Sequence, residues 1–174
     1  AMARMRKLRA RIRYTDSAHR YKKLGVDVFM GEAHFTGPDA VEVHGKTLRF
    51  SRAAICTGAR AAELPIPGLK EVGYLTNETV FELVALPPRL MVIGAGPIGC
   101  ELAQAFARLG SQVTLVEQEC RILPREDADA ARVVEQSMIR DGVRTICEGS
   151  IEQVMARGKE KVIRYKRQGK TEEL

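Results

Sequence analysis

The pattern of hydrophobic and polar positions changes twice along the chain. Over residues 2–24 apolar side chains recur at helical spacing among Arg and Lys, and Gly25 is suited to end a helix. The pattern then becomes that of short strands bounded by turn residues. The predicted strands span residues 26–31, 41–43, 47–50 and 53–56. We expect the middle two to belong to an antiparallel meander with one solvated face, and the last to be a buried strand.

The segment 65–68, Pro-Ile-Pro-Gly, marks the boundary between two parts of the chain. Each proline removes a backbone donor and biases the residue before it toward extended geometry, so the segment cannot be helical and makes a poor central strand. We therefore predict two domains, residues 1–63 and 64–174.

Strands and helices alternate beyond this boundary. The predicted strands are residues 89–93, 112–116 and 143–147, and the predicted helices are 76–83 (capped by Thr76 or Asn77), 97–109 and 127–140. Two alternating runs, 151–157 and 161–166, predict a hairpin. This order predicts an α/β fold, a Rossmann-like three-layer nucleotide-binding domain with a β-hairpin.

The loop after the strand 89–93 has the spacing Gly-x-Gly-x-x-Gly. Gly94 permits a tight turn, Gly96 has no Cβ and lets a pyrophosphate approach the backbone, and Gly99 lets the helix pack closely on the strand. The helix start offers unpaired N–H groups and the positive end of its dipole, and Pro97 suits a first turn with spare donors. The alternative is a glycine-rich turn without a ligand, or one that binds a different nucleotide. The residues predicted to bind a dinucleotide here are Gly94, Ala95, Gly96, Pro97, Ile98 and Gly99.

An acidic residue follows the next strand, as a dinucleotide site requires. Glu117 lies 18 residues beyond Gly99, near the usual separation of about 20. Its carboxylate would accept hydrogen bonds from a ribose hydroxyl and repel a 2′-phosphate, which favours NAD over NADP. Arg121 and Arg125 weaken this preference, since an arginine can hold a 2′-phosphate. Glu101 either stabilises the helix through its dipole or faces the nicotinamide, and the sequence leaves both open.

Composition and charge narrow the class of protein. Hydrophobic residues make up 45% and charged residues 29% of the chain, which predicts a globular fold. The net charge of +6 is concentrated at the start of the chain. Residues 1–23 contain nine of the 28 Lys and Arg residues and only one of the 22 Asp and Glu residues. A second basic cluster spans residues 157–170. We interpret both clusters as solvated faces, or as faces that have lost an acidic partner surface, and do not expect a nucleic-acid partner.

Two further classes are not expected. No segment approaches the roughly 18–20 apolar residues of a membrane-spanning helix. The four cysteines are far apart, and their spacing fits neither a metal finger nor a disulfide scaffold. The simplest interpretation is a reduced cytoplasmic protein without a metal site, and no residue of the chain is predicted to be catalytic.

The glycine loop and its surroundings resemble a known family. Residues 92–102, 106–110 and 113–117 resemble the NAD(P)H-binding domain of the flavin-dependent pyridine nucleotide-disulfide oxidoreductases, which include lipoamide dehydrogenase and mercuric reductase. Residues 31–35 and 56–68 are similar to segments of the family's FAD domain, so the resemblance covers essentially the whole chain. It implies that residues 1–63 are the C-terminal part of an FAD-binding domain and residues 64–174 an NAD(P)H-binding domain truncated at its C-terminal end.

The resemblance also implies roles for individual residues. Gly94, Gly96, Gly99 and Glu117 would bind the pyridine dinucleotide, with Ile98 and Glu101 near the nicotinamide. Ala33, Thr57 and Gly58 would touch FAD, and Cys56 stands where the family usually has alanine.

Several parts of the family's enzymes are not found in these residues. The Cys-x-x-x-x-Cys redox pair, the FAD pyrophosphate loop and the interface domain are missing, so we expect an excised piece of a longer enzyme, inactive by itself. In that parent, expected to be a homodimer, NAD(P)H would reduce FAD and then a disulfide or mercuric ion. The alternatives are another FAD- and NADH-dependent reductase, such as an NADH oxidase-like enzyme, and a non-catalytic dinucleotide-sensing module.

Overall fold

The computed structural model describes all residues from 1 to 174, and the chain divides into two compact units. They are Ala1–Arg60 and Ala61–Leu174. The division lies within a few residues of the predicted boundary between residues 63 and 64. None of the helices combines the length and the apolar character needed to cross a bilayer.

The first unit contains two helices and an antiparallel meander. Its elements are helices α1 (Met2–Thr15) and α2 (Ala18–Lys23) and strands β1 (Ala33–Gly37), β2 (Ala40–Val43) and β3 (Lys46–Arg49). The middle strand, β2, pairs with both neighbours. His44 and Gly45, which join β2 to β3, both have positive φ (49° and 73°), as a tight hairpin turn requires. The predicted meander is confirmed.

The helix predicted over residues 2–24 is instead two helices. The side chain of Ser17 accepts a hydrogen bond from the Arg20 N–H (3.2 Å) and so caps the start of α2. An N-cap residue has an extended backbone, which breaks the helix before it. No side chain of α1 is buried, so packing does not hold the two helices in one line.

Two of the strands predicted for this unit do not form, so these predictions are wrong. Residues 26–31 pair with no strand, and the N–H of Val26 instead donates to the carbonyl of Tyr21 (3.1 Å) at the end of α2. Residues 53–56 are exposed and also lack a partner strand. A strand is stabilised by pairing with its neighbours, and the hydrophobic pattern of one segment does not supply the neighbour.

The second unit is built on a parallel sheet. Its central elements are β4 (Arg89–Ile93), α4 (Pro97–Arg108), β5 (Gln112–Val116), α5 (Ala128–Arg140) and β6 (Arg144–Ile146). These five elements confirm the predictions to within a residue at each end. The strands pair in the order β4-β5-β6, with Ile93, Val116 and Ile146 side by side. The carboxyl ends of all three strands therefore meet at one edge of the sheet.

An antiparallel sheet follows in the same unit. It contains β7 (Ser150–Arg157), β8 (Glu160–Arg167) and β9 (Lys170–Glu173). The predicted hairpin is confirmed as β7 and β8. The third strand, β9, has no apolar residue and so carries no hydrophobic signal in the sequence. Gln168 and Gly169, both with positive φ, form the turn before it.

The segment between the sequence boundary and β4 contains less helix than predicted. It has a short helix, α3 (Leu69–Val72), and a single 3-10 turn, Val80–Glu82. The helix predicted over 76–83 is wrong in extent, although its predicted cap is present. The Thr76 hydroxyl accepts the N–H of Glu78 (3.2 Å), and the Thr79 hydroxyl accepts the N–H of Thr76 (2.9 Å), as in a capping box. Only the 3-10 turn follows, because Leu83 has an extended backbone (ψ of 130°).

The parallel sheet is covered on both faces, as the predicted three-layer fold requires. Val92 faces helix α4, because its side chain lies within 3.6 Å of where a Cβ on Gly99 would be. Residues on the opposite face of the sheet pack against α3 and the antiparallel sheet. The clusters on that face include Met91, Ile93, Val116 and Ile146 from the parallel strands and Leu69, Val154, Ile163 and Tyr165 from the covering elements.

Replacing a residue between the two sheets should destabilise this unit. Ile163 is 7% exposed and packs against Leu69 and Val154. We expect Ile163→Ala to lower the free energy of unfolding by about 2–4 kcal/mol, because it leaves a cavity in the core. The same exchange at Ile139, which is 55% exposed on α5, should change it by less than about 0.5 kcal/mol. Urea unfolding of both variants checks the layer assignment, and equal effects would contradict it.

Candidate functional site

The glycine loop, residues 94–99, lies at the carboxyl edge of the parallel sheet. The N–H of Gly94 donates to the carbonyl of Val116 (2.8 Å), and the N–H of Glu117 donates to the carbonyl of Ile146 (2.8 Å). These two bonds continue the ladders of the sheet beyond its last paired residues. They bring the start of the loop and Glu117 side by side, at the ends of adjacent strands.

The three glycines of the loop are required for different reasons. Gly94 has a φ of +94°, which L side chains rarely adopt. A Cβ on Gly99 would lie 2.0 Å from the carbonyl oxygen of Gly94, so the close packing of helix on strand excludes any side chain there. Gly96 has an ordinary φ of −70°, and no atom of the protein lies within 4 Å of where its Cβ would be. The fold itself therefore does not require glycine at position 96.

The first turn of α4 presents backbone donors without an acceptor in the protein. The N–H groups of Gly96, Ile98 and Gly99 make no hydrogen bond within the chain, and Pro97 has none to make. From Gly96 onward, the first backbone N–H that has a partner belongs to Cys100, and it donates to the carbonyl of Gly96 (3.0 Å). Unpaired donors at the positive end of a helix dipole form a site for an anion such as a diphosphate.

The amide of Ala95 is already bound to the acid that follows β5. Glu117 Oε2 accepts from the Ala95 N–H at 2.7 Å, and Oε1 accepts from the Glu119 N–H at 3.1 Å. Ala95 is fully buried and Glu117 is 9% exposed. An ionised carboxylate has about four lone-pair sites, so these two donors leave acceptor capacity. The sequence predicts Ala95 and Glu117 as ligand contacts but does not predict this bond between them.

A second loop lies against the glycine loop. The N–H of Leu123 donates to the carbonyl of Ala95 (2.8 Å). The guanidinium of Arg121 donates to three main-chain carbonyls of this second loop and is therefore directed at the protein, whereas Arg125 is exposed. The two loops enclose a groove of about 420 Å³ lined by Gly96, Pro97, Leu123, Pro124, Arg125 and Glu126.

The remaining predicted site residues lie at separate positions. Ile98 and Glu101 are exposed near the start of α4, and neither lines the groove. The three residues predicted to touch FAD belong to the first unit, where Ala33 begins β1 and Thr57 and Gly58 lie in an exposed segment without helix or strand. The roles of all five stay predictions.

Two cysteines of this unit, Cys100 and Cys147, are not activated. Burial, assisted by the nearby charge of Glu117, raises the pKa of the Cys100 thiol to about 11, and Cys100 Sγ donates to the carbonyl of Ala95 (3.4 Å). Burial also raises the pKa of Cys147. Both are therefore neutral thiols near pH 7 and poor nucleophiles. No three His, Cys, Asp or Glu side chains are placed to hold a metal ion.

Comparison with known proteins identifies the family of this fold and site. Residues 5–173 match the family model for pyridine nucleotide-disulphide oxidoreductases. The chain is 36% identical over 146 residues to mercuric reductase from Bacillus cereus and 36% identical over 126 residues to dihydrolipoyl dehydrogenase from Bacillus subtilis. These alignments cover 84% and 70% of this chain, respectively. The chain belongs to the pyridine nucleotide-disulphide oxidoreductase family, which confirms the resemblance found in the sequence.

Solved structures give the same assignment. The flavoprotein disulfide reductase RclA from Escherichia coli, solved as a Cu(II) complex, superposes with a TM-score of 0.81 and 26% identity, covering 99% of this chain and 39% of RclA. The predicted α/β nucleotide-binding fold is thereby confirmed. The chain spans 23% of the Bacillus cereus relative and 28% of the Bacillus subtilis relative, about a quarter of their length.

Replacing Gly99 or Gly96 by alanine should show which glycine the fold needs and which one only leaves space for a ligand. We expect Gly99→Ala to lower the free energy of unfolding by about 2–3 kcal/mol, because its Cβ overlaps the carbonyl of Gly94. Gly96→Ala should stay within about 0.5 kcal/mol of the unsubstituted protein, because its Cβ meets nothing. Urea unfolding measures both values, and a comparable loss in the two variants would show that the space above Gly96 is needed for the fold.

Proposed function

We propose that the second unit binds a pyridine dinucleotide at the glycine loop. One observation carries the proposal: the open space above Gly96 borders the unpaired N–H groups of Ile98 and Gly99. The diphosphate bridge of a dinucleotide needs amide donors and a position without Cβ, and both are present at one point. The family membership of the chain supports the same conclusion.

We also propose that this site prefers NADH to NADPH. The mostly buried carboxylate of Glu117 retains acceptor capacity for ribose hydroxyls and would repel a 2′-phosphate. Of the two arginines that could reverse this preference, Arg121 is engaged by carbonyls of its own loop. Arg125 lines the groove and is the cation through which a 2′-phosphate would be tolerated.

In the whole protein, this site would serve flavin-dependent reduction. The glycine loop and Glu117 would hold the dinucleotide, which would supply hydride for the reduction of FAD and, through it, of a disulfide or mercuric ion. The matches to mercuric reductase, dihydrolipoyl dehydrogenase and a flavoprotein disulfide reductase support this class of reaction. The residues of this chain bind and orient the dinucleotide, through amides at the diphosphate and Glu117 at the ribose, with Ile98 and Glu101 toward the nicotinamide.

The first unit, in this proposal, is the C-terminal part of an FAD-binding domain, with Ala33, Thr57 and Gly58 at the flavin cofactor. Met30 and Ile55 are large apolar side chains that are mostly exposed in this unit, as expected of surface that the rest of such a domain covers. The remaining FAD and interface domains would be partners within a homodimeric enzyme. Four free cysteines fit a reducing, cytoplasmic location.

Filling the space above Gly96 should abolish dinucleotide binding. We expect NADH to bind the chain weakly and Gly96→Val to remove that binding, because the side chain would occupy the position of the diphosphate. Titration followed by NADH fluorescence measures the affinity, and circular dichroism confirms that the variant is folded. Unchanged affinity in a folded Gly96→Val protein would remove the glycine loop from the binding site.

Neutralising Glu117 should narrow the preference for NADH. Glu117→Gln keeps an oxygen that can accept from the Ala95 N–H but removes the charge that repels a 2′-phosphate. We expect the ratio of the NADPH to the NADH dissociation constant to fall by about tenfold, equivalent to about 1.4 kcal/mol. Glu119→Gln, at an exposed acid two residues away, is the control and should preserve the ratio. A ratio that is the same in all three proteins would exclude Glu117 from the ribose site.

A further inference from the structure

We propose that Arg121 is a positioning residue for the dinucleotide groove. It would act by holding the loop of residues 121–126 as a wall of the groove, without contacting the ligand. The proposal rests on the proposed function, in that the groove is taken to be the dinucleotide site.

The guanidinium of Arg121 makes three hydrogen bonds to the main chain of its own loop. Nη1 donates to the carbonyl of Leu123 (2.8 Å), and Nη2 donates to the carbonyls of Pro124 (3.0 Å) and Glu126 (2.8 Å). A planar fork of donors can reach several carbonyls from one fixed position, which a lysine ammonium on a flexible stem does not do. The bonds therefore use the particular geometry of arginine as well as its charge.

These bonds hold a strained residue in place. Leu123 has a φ of +47°, which is uncommon for a residue other than glycine, and its side chain is buried. Its N–H donates to the carbonyl of Ala95, the residue of the glycine loop that Glu117 also holds. Strained conformations persist only where the surroundings determine them. Arg121 holds Leu123 in this conformation by donating hydrogen bonds to the carbonyls of Leu123 and of the residue after it.

Loss of Arg121 would affect dinucleotide binding indirectly, by changing the conformation of the loop of residues 121–126. Pro124, Arg125 and Glu126 line the groove opposite Gly96 and Pro97. If Arg121 is removed, Leu123 can relax to negative φ, the bond to Ala95 loosens, and the residues lining that wall move. Dinucleotide affinity then falls because the groove is no longer preorganised, although no ligand contact has been deleted.

Arg125 provides a matched control on the same loop. It is exposed and lines the groove, and its side chain makes no hydrogen bond or ion pair within the chain. Arg125→Ala removes the same charge as Arg121→Ala but leaves the loop bonds intact. Arg125 lines the groove, so the comparison is made on amide exchange without ligand, where a purely electrostatic role for Arg121 would make the two variants alike.

The test measures loop order first without ligand and then with NADH. Amide hydrogen exchange by NMR should show the Leu123 amide exchanging at least about tenfold faster in Arg121→Ala and in Arg121→Lys, with no change in Arg125→Ala. NADH affinity should fall by about tenfold in both Arg121 variants. Millimolar methylguanidinium should restore part of the affinity of Arg121→Ala, and methylammonium, which lacks the planar fork, should not.

The outcomes separate this proposal from the proposed function. Unchanged exchange at Leu123 in a folded Arg121 variant overturns the role of Arg121, whatever NADH does. Faster exchange with unchanged NADH affinity also overturns it, because the loop would then not position the groove. If the unsubstituted protein does not bind NADH, the proposed function fails, while the exchange measured without ligand still decides whether Arg121 holds the loop.

Discussion

The bond between the Ala95 amide and the Glu117 carboxylate is the interaction on which the site depends. It joins the glycine loop to the end of β5 at 2.7 Å, between two buried residues. A buried carboxylate is costly unless donors compensate it, and here two main-chain N–H groups do so. Because Glu117 holds the loop from inside, the loop keeps its shape while the amides on its outer side stay free of partners.

This arrangement divides the residues of the site into two groups. Gly99, Ala95 and Arg121 face the protein and fix the geometry, through close packing, an amide bond and three carbonyl contacts. Gly96 and Ile98 face outward and offer space and donors. Glu117 belongs to both groups, since it holds the loop and retains acceptor capacity. The sequence motif does not distinguish these two groups. A glycine needed for packing and a glycine that leaves space for a ligand are identical in sequence, and the same holds for an arginine bound to its own loop and one that faces the groove.

The sequence predicts the parallel part of the fold well because that part is local and periodic. Strand, glycine turn, helix and strand follow one another from residue 89 to residue 116, and each carries its own hydrophobic pattern. The wrong strand predictions lie where pairing with a neighbouring strand determines whether a segment becomes a strand. Residues 26–31 and 53–56 have strand-like patterns without a neighbouring strand, and β9 is a strand without an apolar residue. The carbonyl contacts of Arg121 depend on loop geometry, which residue spacing does not determine, so the sequence leaves its role open.

The most direct test of the account is an NMR titration that follows the backbone amides of the glycine loop. NADH should shift the amide signals of Gly96, Ile98 and Gly99 strongly, because their free N–H groups would bind the diphosphate. Adenosine, which has no phosphate, should leave these three signals nearly unchanged. Strong shifts confined to other parts of the chain, or equal shifts with adenosine and NADH, would contradict the claim that this loop is built to receive a diphosphate.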